Sequence, residues 1–198
     1  MIKGIDVSHW NSQVNWQSVK DNGMAFAFIK ASDGLNMVDP LFNHNWSESK
    51  AKNIPRGAYH FFRPQSDPYA QAQHFLKTLE AQPTEMDLPA VLDFEVEEPF
   101  VQSARIVDSA LSWLVLVEKA TGRKPIVYTS PSIMSSYGHP VSFESFPLWL
   151  AHYGVPQPTI PKPWTAWTFW QYTESGMVGS NKFDLNWFNG DEAALLKL

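Results

Sequence analysis

An irregular barrel of the (β/α)8 type is the fold this sequence predicts. Strand-like and helix-like segments alternate through the early part of the 198 residues, a rhythm that builds parallel sheets. About eight strand candidates fall in one domain-sized chain without repeat, linker or low-complexity tract, and eight such strands suggest closure into a barrel. No Gly-rich phosphate loop follows the first strand, which disfavours the open doubly wound sheet. The later part is poor in helices and rich in proline, so the barrel is expected to be irregular, with residues 1–198 forming a single domain.

Each element has a local cause. Residues 2–7 read as a strand, and 15–22 as a short helix closed by Gly23. Residues 25–30 form an apolar strand. A helix is expected over 40–52, with Asp39 as its cap and Pro40 at its first position. Residues 57–62 form a strand. Asp67-Pro68 then opens a helix reaching about residue 80, with Phe75, Leu76 and Leu79 on its apolar side. The short apolar run 89–96 reads as a buried strand. Residues 103–120 make the longest helix, ended by Gly122. A strand at 126–129 leads to a short helix near Pro131. Residues 148–152, 165–172 and 183–185 are the remaining strand candidates.

Composition removes several classes of function. Hydrophobic residues make up 44% and charged residues 18%, which fits a globular chain. The net charge is -5 and basic residues do not cluster, so no nucleic-acid partner is expected. There is no cysteine, hence no disulfide, thiolate metal site or cysteine nucleophile. The longest apolar stretch in a helical segment, Leu114-Val115-Leu116-Val117, is far too short to span a bilayer, so no membrane association is expected. No secretory signal precedes the first strand. His9, His60 and His152 lack zinc-ligand spacing, and no metal or cofactor is expected. Ser8, Ser130 and Ser132 lack a nucleophile-elbow context. Nothing in the chain demands an oligomer, so a monomer is expected.

The chemical signal lies in the run Pro89-Ala90-Val91-Leu92-Asp93-Phe94-Glu95-Val96, which carries two acids. Alternation along a strand would put Asp93 and Glu95 on one face. Buried carboxylates are unfavourable unless hydrogen-bonded or protonated, so the pair marks either a structural network or an acid/base device. In a parallel barrel the site lies at the carboxyl ends of the strands. Polar and aromatic residues recur there: Asp6 with Ser8, His9 and Trp10; Tyr59 and His60; Asp93 and Glu95; Tyr128; His152 and Tyr153; Gln171 and Tyr172; Asp184 and Asn186. Singly, Asp6 or Asp184 is better explained as satisfying loop amides; the recurrence is harder to explain that way. Most of the nine Trp are expected in the core, with one or two rings of the Trp164, Trp167, Phe169, Trp170 group along a groove. Carboxylates in an aromatic-walled cleft suit glycoside hydrolysis, where one acid donates a proton and another stays negative.

The same residues resemble a known family. Gly4-Ile5-Asp6-Val7-Ser8-His9-Trp10 resembles the opening of the family 25 glycoside hydrolases, the Chalaropsis-type lysozymes. Ala25-Phe26-Ala27-Phe28-Ile29-Lys30-Ala31, Gly57-Ala58-Tyr59-His60-Phe61-Phe62 and Leu92-Asp93-Phe94-Glu95 resemble its next segments. Pro125-Ile126-Val127-Tyr128-Thr129-Ser130, Pro147-Leu148-Trp149-Leu150-Ala151-His152-Tyr153, Trp167-Thr168-Phe169-Trp170-Gln171-Tyr172 and Phe183-Asp184-Leu185-Asn186 complete a match over nearly the whole chain. The resemblance implies a flattened, irregular (β/α)8-like barrel that cleaves the β-1,4 bond from N-acetylmuramic acid to N-acetylglucosamine in peptidoglycan. It implies Glu95 as general acid/base, neutral at rest, and an ionised Asp93 assisting the substrate's own 2-acetamido group. It places Asp6 and Asp184 in the acidic cleft, and Tyr59, Tyr128, Trp149 and Gln171 along its lining. The expected partner is a bacterial glycan strand and the expected place of action the cell wall, as for a phage endolysin or an enzyme exported by another route. Ser32-Asp33-Gly34 departs from the family's usual Thr-Glu-Gly. A chitinase-like hydrolase and a non-catalytic glycan-binding module are the rival readings.

Overall fold

The computed structural model describes residues 1–11, 13–82, 86–97 and 102–198. Its strands are β1 (Ile2–Val7), β2 (Phe26–Asp33), β3 (Met37–Val38), β4 (Arg56–Phe61), β5 (Val91–Asp93), β6 (Ile126–Thr129), β7 (Leu148–Ala151), β8 (Phe169–Val178) and β9 (Asn181–Phe188). Its helices are α1 (Trp16–Asp21), α2 (Phe42–Ala51), α3 (Pro68–Glu80), α4 (Ser103–Thr121), α5 (Pro131–Ser136) and α6 (Glu192–Leu195). The sheet order is β1-β9-β8-β7-β6-β5-β4-β2-β3, and a further pairing of β1 with β2 closes eight strands into a barrel, leaving β3 as an appendage of β2. Within the barrel the pairs among β1, β2 and β4 to β8 are parallel, β3 adds to β2 antiparallel, and β9 runs antiparallel to both β8 and β1. The barrel is thus mixed and irregular, as the helix-poor later segments predict.

Local signals explain most elements. Asn15 caps α1 and Asp67 caps α3 by accepting backbone N–H bonds, and Gly122 ends α4 in the left-handed conformation that suits glycine. Three expectations shift. The second helix begins at Phe42, and Asp39 does not cap it: its carboxylate binds Leu41 N, His9 N and the His9 ring instead. The strand expected at 165–172 begins only at Phe169, and β8 and β9 run on as a long hairpin through Gly179 at φ 60°. The strand expected over 89–95 ends at Asp93. Phe94 N still reaches Tyr128 O (2.9 Å), but beyond it the chain leaves the sheet for want of a strand to pair with.

Strand alternation builds two cores. Inside the barrel, Phe26, Phe28, Val91, Ile126, Phe169 and Phe188 pack with Tyr128 and Trp149. Outside, helix residues such as Phe75, Trp113 and Leu114 meet the outward residues of the strands, and His60 stacks on Trp113 at 5.5 Å. The inner rings fit because Gly4 and Gly57 make room. A Cβ at Gly4 would lie 2.6 Å from the Phe26 ring, and one at Gly57 2.7 Å from the Phe28 ring. Among the described residues no helix is long and apolar enough to cross a membrane. This packed floor leaves only the carboxyl-terminal end of the parallel strands open for polar side chains.

Candidate active site

At that end the interior becomes acidic. Asp6, Tyr59, Asp93, Glu95, Tyr128, Trp149, Gln171 and Asp184 line one pocket of about 90 Å³. That is room for about three waters, so it admits a substituent of a sugar, with the ring lying across the mouth. All eight site residues expected from the sequence meet here. Register explains the convergence: Asp6 pairs with Asp184, Asp93 with Tyr128, Tyr128 with Trp149 and Gln171 with Asn186. Asp184 joins from the early part of its strand because β9 runs backwards relative to its neighbours. Glu95 is placed by the chain's departure from the sheet rather than by strand alternation. It stands exposed at the rim while Asp93 is buried beneath it.

A fixed network holds Asp6. Gln171 Nε2 (2.8 Å) and Asn186 Nδ2 (2.7 Å) both donate to Asp6 Oδ2. The Trp149 indole, which can only donate, reaches Asn186 Oδ1 at 2.7 Å and so fixes which way that amide faces. The Tyr128 hydroxyl donates to Gln171 Oε1 at 2.7 Å, and Tyr153 does the same. Tyr128 and Gln171 are therefore committed within the protein. Trp149 is only 2% exposed, its ring packed against Phe28, Tyr59 and Tyr128. The Tyr59 hydroxyl has no partner in this network. Burial and the charges of Asp6, Asp93, Asp39 and Asp184 hold it neutral, as a donor facing the pocket.

The acids crowd, and their protons rise with them. Burial first, then the charge of Asp184, lifts Asp6 well above the usual carboxylate range, against the lowering effect of its two amide partners. Burial, helped by the charge of Glu174 and opposed by its interaction with Asp6, pushes Asp184 up to about 6. Burial, then Glu95, lifts Asp93 well above the usual range, and its Oδ1 is buried with no hydrogen-bond partner. Glu95 rises too, through burial and Asp184, while Lys30 draws it down. Both Asp93 and Glu95 are thus held above the usual carboxylate range, Asp93 being the more deeply buried of the two.

Sequence reasoning passed over Lys30. It is 7% exposed on β2, with Nζ 3.3 Å from Asp33 Oδ2 and 4.5 Å from the Phe61 ring centre, and it is the cation that opposes the cluster. An ionisable group inside an apolar strand is the same signal that singled out Asp93. Asp33, in the departing Ser-Asp-Gly segment, is gripped by Arg63 at 2.7 and 2.9 Å as well as by Lys30, and so does not reach into the pocket. His9, His60 and His152 each have hydrogen-bond partners: Asp39; Ser32 and Gln71; and Thr159 N. Ser130 caps α5. Of the Trp164, Trp167, Phe169, Trp170 group none lines the acidic pocket: Phe169 lies in the inner floor, and the indoles of Trp164 and Trp170 bond to backbone carbonyls outside the barrel. Among the described residues, Trp10 (82% accessible) and Tyr153 (40%) are exposed rings at this end.

Comparison with known proteins agrees with this geometry. The model of the family described as "Glycosyl hydrolases family 25" matches residues 5–180. The chain is 42% identical over 197 residues to "Uncharacterized protein YegX" of Escherichia coli K12, covering 96% of this chain and 70% of that one. It is 38% identical over 209 residues to "Lysozyme M1" of Streptomyces globisporus, covering 100% and 71%. Among solved structures, the bacterial lysozyme of Streptomyces coelicolor superposes with a TM-score of 0.90 at 36% identity, covering 100% of this chain and 96% of that one.

Proposed function

We propose, for a chain that belongs to glycosyl hydrolases family 25 and is a glycoside hydrolase, that it is a lysozyme acting on the β-1,4 bond between N-acetylmuramic acid and N-acetylglucosamine. Family membership supports peptidoglycan as the polymer; this chain's residues support the roles. The observation that carries the reading is the juxtaposition of a buried, unpartnered Asp93 oxygen with a rim-exposed Glu95 in one acidic pocket. An acetamido group on the sugar fits that pocket, and its N–H can donate to Asp93 Oδ1. Such a bond favours the ionised form of Asp93, whose negative charge in turn helps Glu95 keep its proton.

Glu95 then gives its proton to the glycosidic oxygen as the C1–O bond breaks. The acetamido oxygen attacks C1 and forms a cyclic oxazolinium ion, whose N–H is steadied by the negative Asp93. The leaving sugar departs with a free hydroxyl. Glu95, now a carboxylate, takes a proton from water as the water oxygen adds to C1. The ring opens to the acetamide, and configuration at C1 is retained, the substrate-assisted variant of glycoside hydrolysis. Asp6 and Asp184 supply a negative field toward the carbon that becomes positive. Tyr59 donates its hydroxyl to the bound sugar.

Glu95→Gln should lower kcat on purified sacculi by about 10²-fold or more while leaving the melting transition in place. A variant that clears walls at the wild-type rate would refute the assignment. Mass spectrometry of the digest checks the bond: muramic acid is expected at the new reducing end, and N-acetylglucosamine there would point to a different specificity. A chitinase-like reading predicts release of reducing ends from chitin instead. A purely binding reading predicts retention on sacculi without turnover.

A further inference from the structure

The wall that carries Gln171 and Asn186 on its inside is aromatic on its outside. Phe169, Gln171, Asn186 and Phe188 point into the barrel, so alternation turns Trp170, Tyr172 and Trp187 to the outer face. Among the described residues no helix stands between β7 and β9 to cover that face. The far end of the β8–β9 hairpin is covered by α1 instead. A Cβ at Gly179 would lie 2.6 Å from Ser18 Oγ, and Val178, Phe183 and Leu185 are buried. The rest stays open: Trp167, Trp170, Tyr172 and Trp187 are partly exposed and Lys3 is exposed.

These five residues form one continuous patch. Trp167 meets Trp170 edge-on at 6.0 Å, Trp170 meets Tyr172 edge-on at 5.9 Å, and Tyr172 stacks on Trp187 at 5.7 Å. Lys3 Nζ lies 4.9 Å from the centre of the Trp187 ring. Register sets the row, since Lys3 pairs with Trp187 and Trp187 with Trp170 across β1, β9 and β8. We infer that this outer face is a second glycan-binding surface, distinct from the acidic pocket. Pyranoses of a peptidoglycan strand stack on its rings, and a carboxylate of the strand meets Lys3. The inference rests on the muramidase reading, which supplies the polymer.

Chemistry favours that occupant. Indole and phenol rings are apolar on the face and polar at the edge, which suits a partner made of CH faces and hydroxyls. The one charge in the patch is positive, and a peptidoglycan strand carries carboxylates on its lactyl groups and stem peptides. A symmetric dimer through this face would instead set two lysine-bearing patches against each other, with no acid in either to pair. The patch is also continuous with the rim of the site. Trp170 Nε1 donates to His152 O at 2.8 Å, and His152 borders the same groove as Glu95. One polymer can therefore lie on both surfaces, and a second attachment strengthens retention on a long strand without helping a short one.

The test separates retention from turnover. The Glu95→Gln protein, mixed with purified sacculi and sedimented, reads retention. Adding Trp187→Thr should weaken it about ten-fold and adding Lys3→Glu about three-fold. With Glu95 intact, both substitutions should slow the clearing of sacculi yet leave kcat/KM on a soluble peptidoglycan tetrasaccharide unchanged. Lys3 is exposed, so Lys3→Glu decides the matter should Trp187→Thr fail to fold. Unchanged retention, or a loss on the tetrasaccharide equal to the loss of retention, would overturn the inference. So would a wild-type dimer in sedimentation velocity that Trp187→Thr dissolves while retention holds. Failure of the muramidase reading shows differently, as a wild-type protein that leaves the tetrasaccharide uncut; retention needs no turnover and still judges the surface.

Discussion

At the scale of single residues, the site is an exercise in proton placement. Asp93 was legible because a carboxylate inside an apolar run is a physical anomaly, and Glu95 because it stood two positions on. The reasoning that paired them was only half right: strand alternation stops at Asp93, and Glu95 reaches the pocket by another path. How deeply each acid is buried was not legible, because only the folded chain sets Asp93 inside and Glu95 at the rim. Lys30 was equally anomalous in its strand. It bears on both Asp93 and Glu95 by lowering their proton affinities. Lys30→Met removes that cation, so Glu95 and Asp93 should hold their protons to higher pH. The alkaline limb of the pH–rate profile should move upward by about half to one unit; an unmoved limb would separate Lys30 from the chemistry.

At the scale of elements, strand existence was easier to read than strand direction. Alternation of side chains is the same whichever way a strand runs, so β9 could be found but not oriented from its own residues. The clue lay in the connection: Val178-Gly179-Ser180-Asn181 offers a two-residue glycine-containing turn, a hairpin signal that makes β9 antiparallel. Asp184 and Asn186 reach the site through that reversal. The inner floor shows how tightly elements constrain each other. Gly4→Ala would drive a methyl carbon into the Phe26 ring and Gly57→Ala one into the Phe28 ring. Each should destabilise by about 1–3 kcal/mol, the usual range for overpacking, lowering Tm by several degrees without touching a catalytic group. Thermal melts of the two variants check this, and wild-type transitions would show that the floor yields more readily than its packing implies.

At the scale of the whole molecule, the acid cluster sets how stability responds to pH. Asp6, Asp93, Glu95 and Asp184 hold protons in the folded state that the unfolded chain has already released above about pH 4. Raising pH through that interval therefore removes stability. His60 acts in the opposite sense. Burial pushes it down to about 3, so the unfolded chain binds a proton below about 6.5 that the folded chain refuses, and stability falls as pH drops. Four raised acids outweigh one lowered histidine, so Tm should be several degrees higher at pH 5 than at pH 7. Asp184→Asn should flatten that slope and raise Tm at pH 7, because its proton is kept up to about pH 6 and then lost. Scanning calorimetry across that range decides it, and a Tm that climbs steadily from pH 5 to pH 7 would contradict the proton inventory.

The bond from Asn186 to Asp6 joins residues 180 positions apart, near opposite ends of the barrel's strand sequence. During synthesis the first strand leaves the ribosome long before its final neighbour exists. Until β9 slots in, Asp6 lacks Asn186 and Asp184, the wall has a gap and the cleft cannot be assembled. The acid cluster therefore exists only once the two ends of the strand order have met, so the site depends on closure of the barrel.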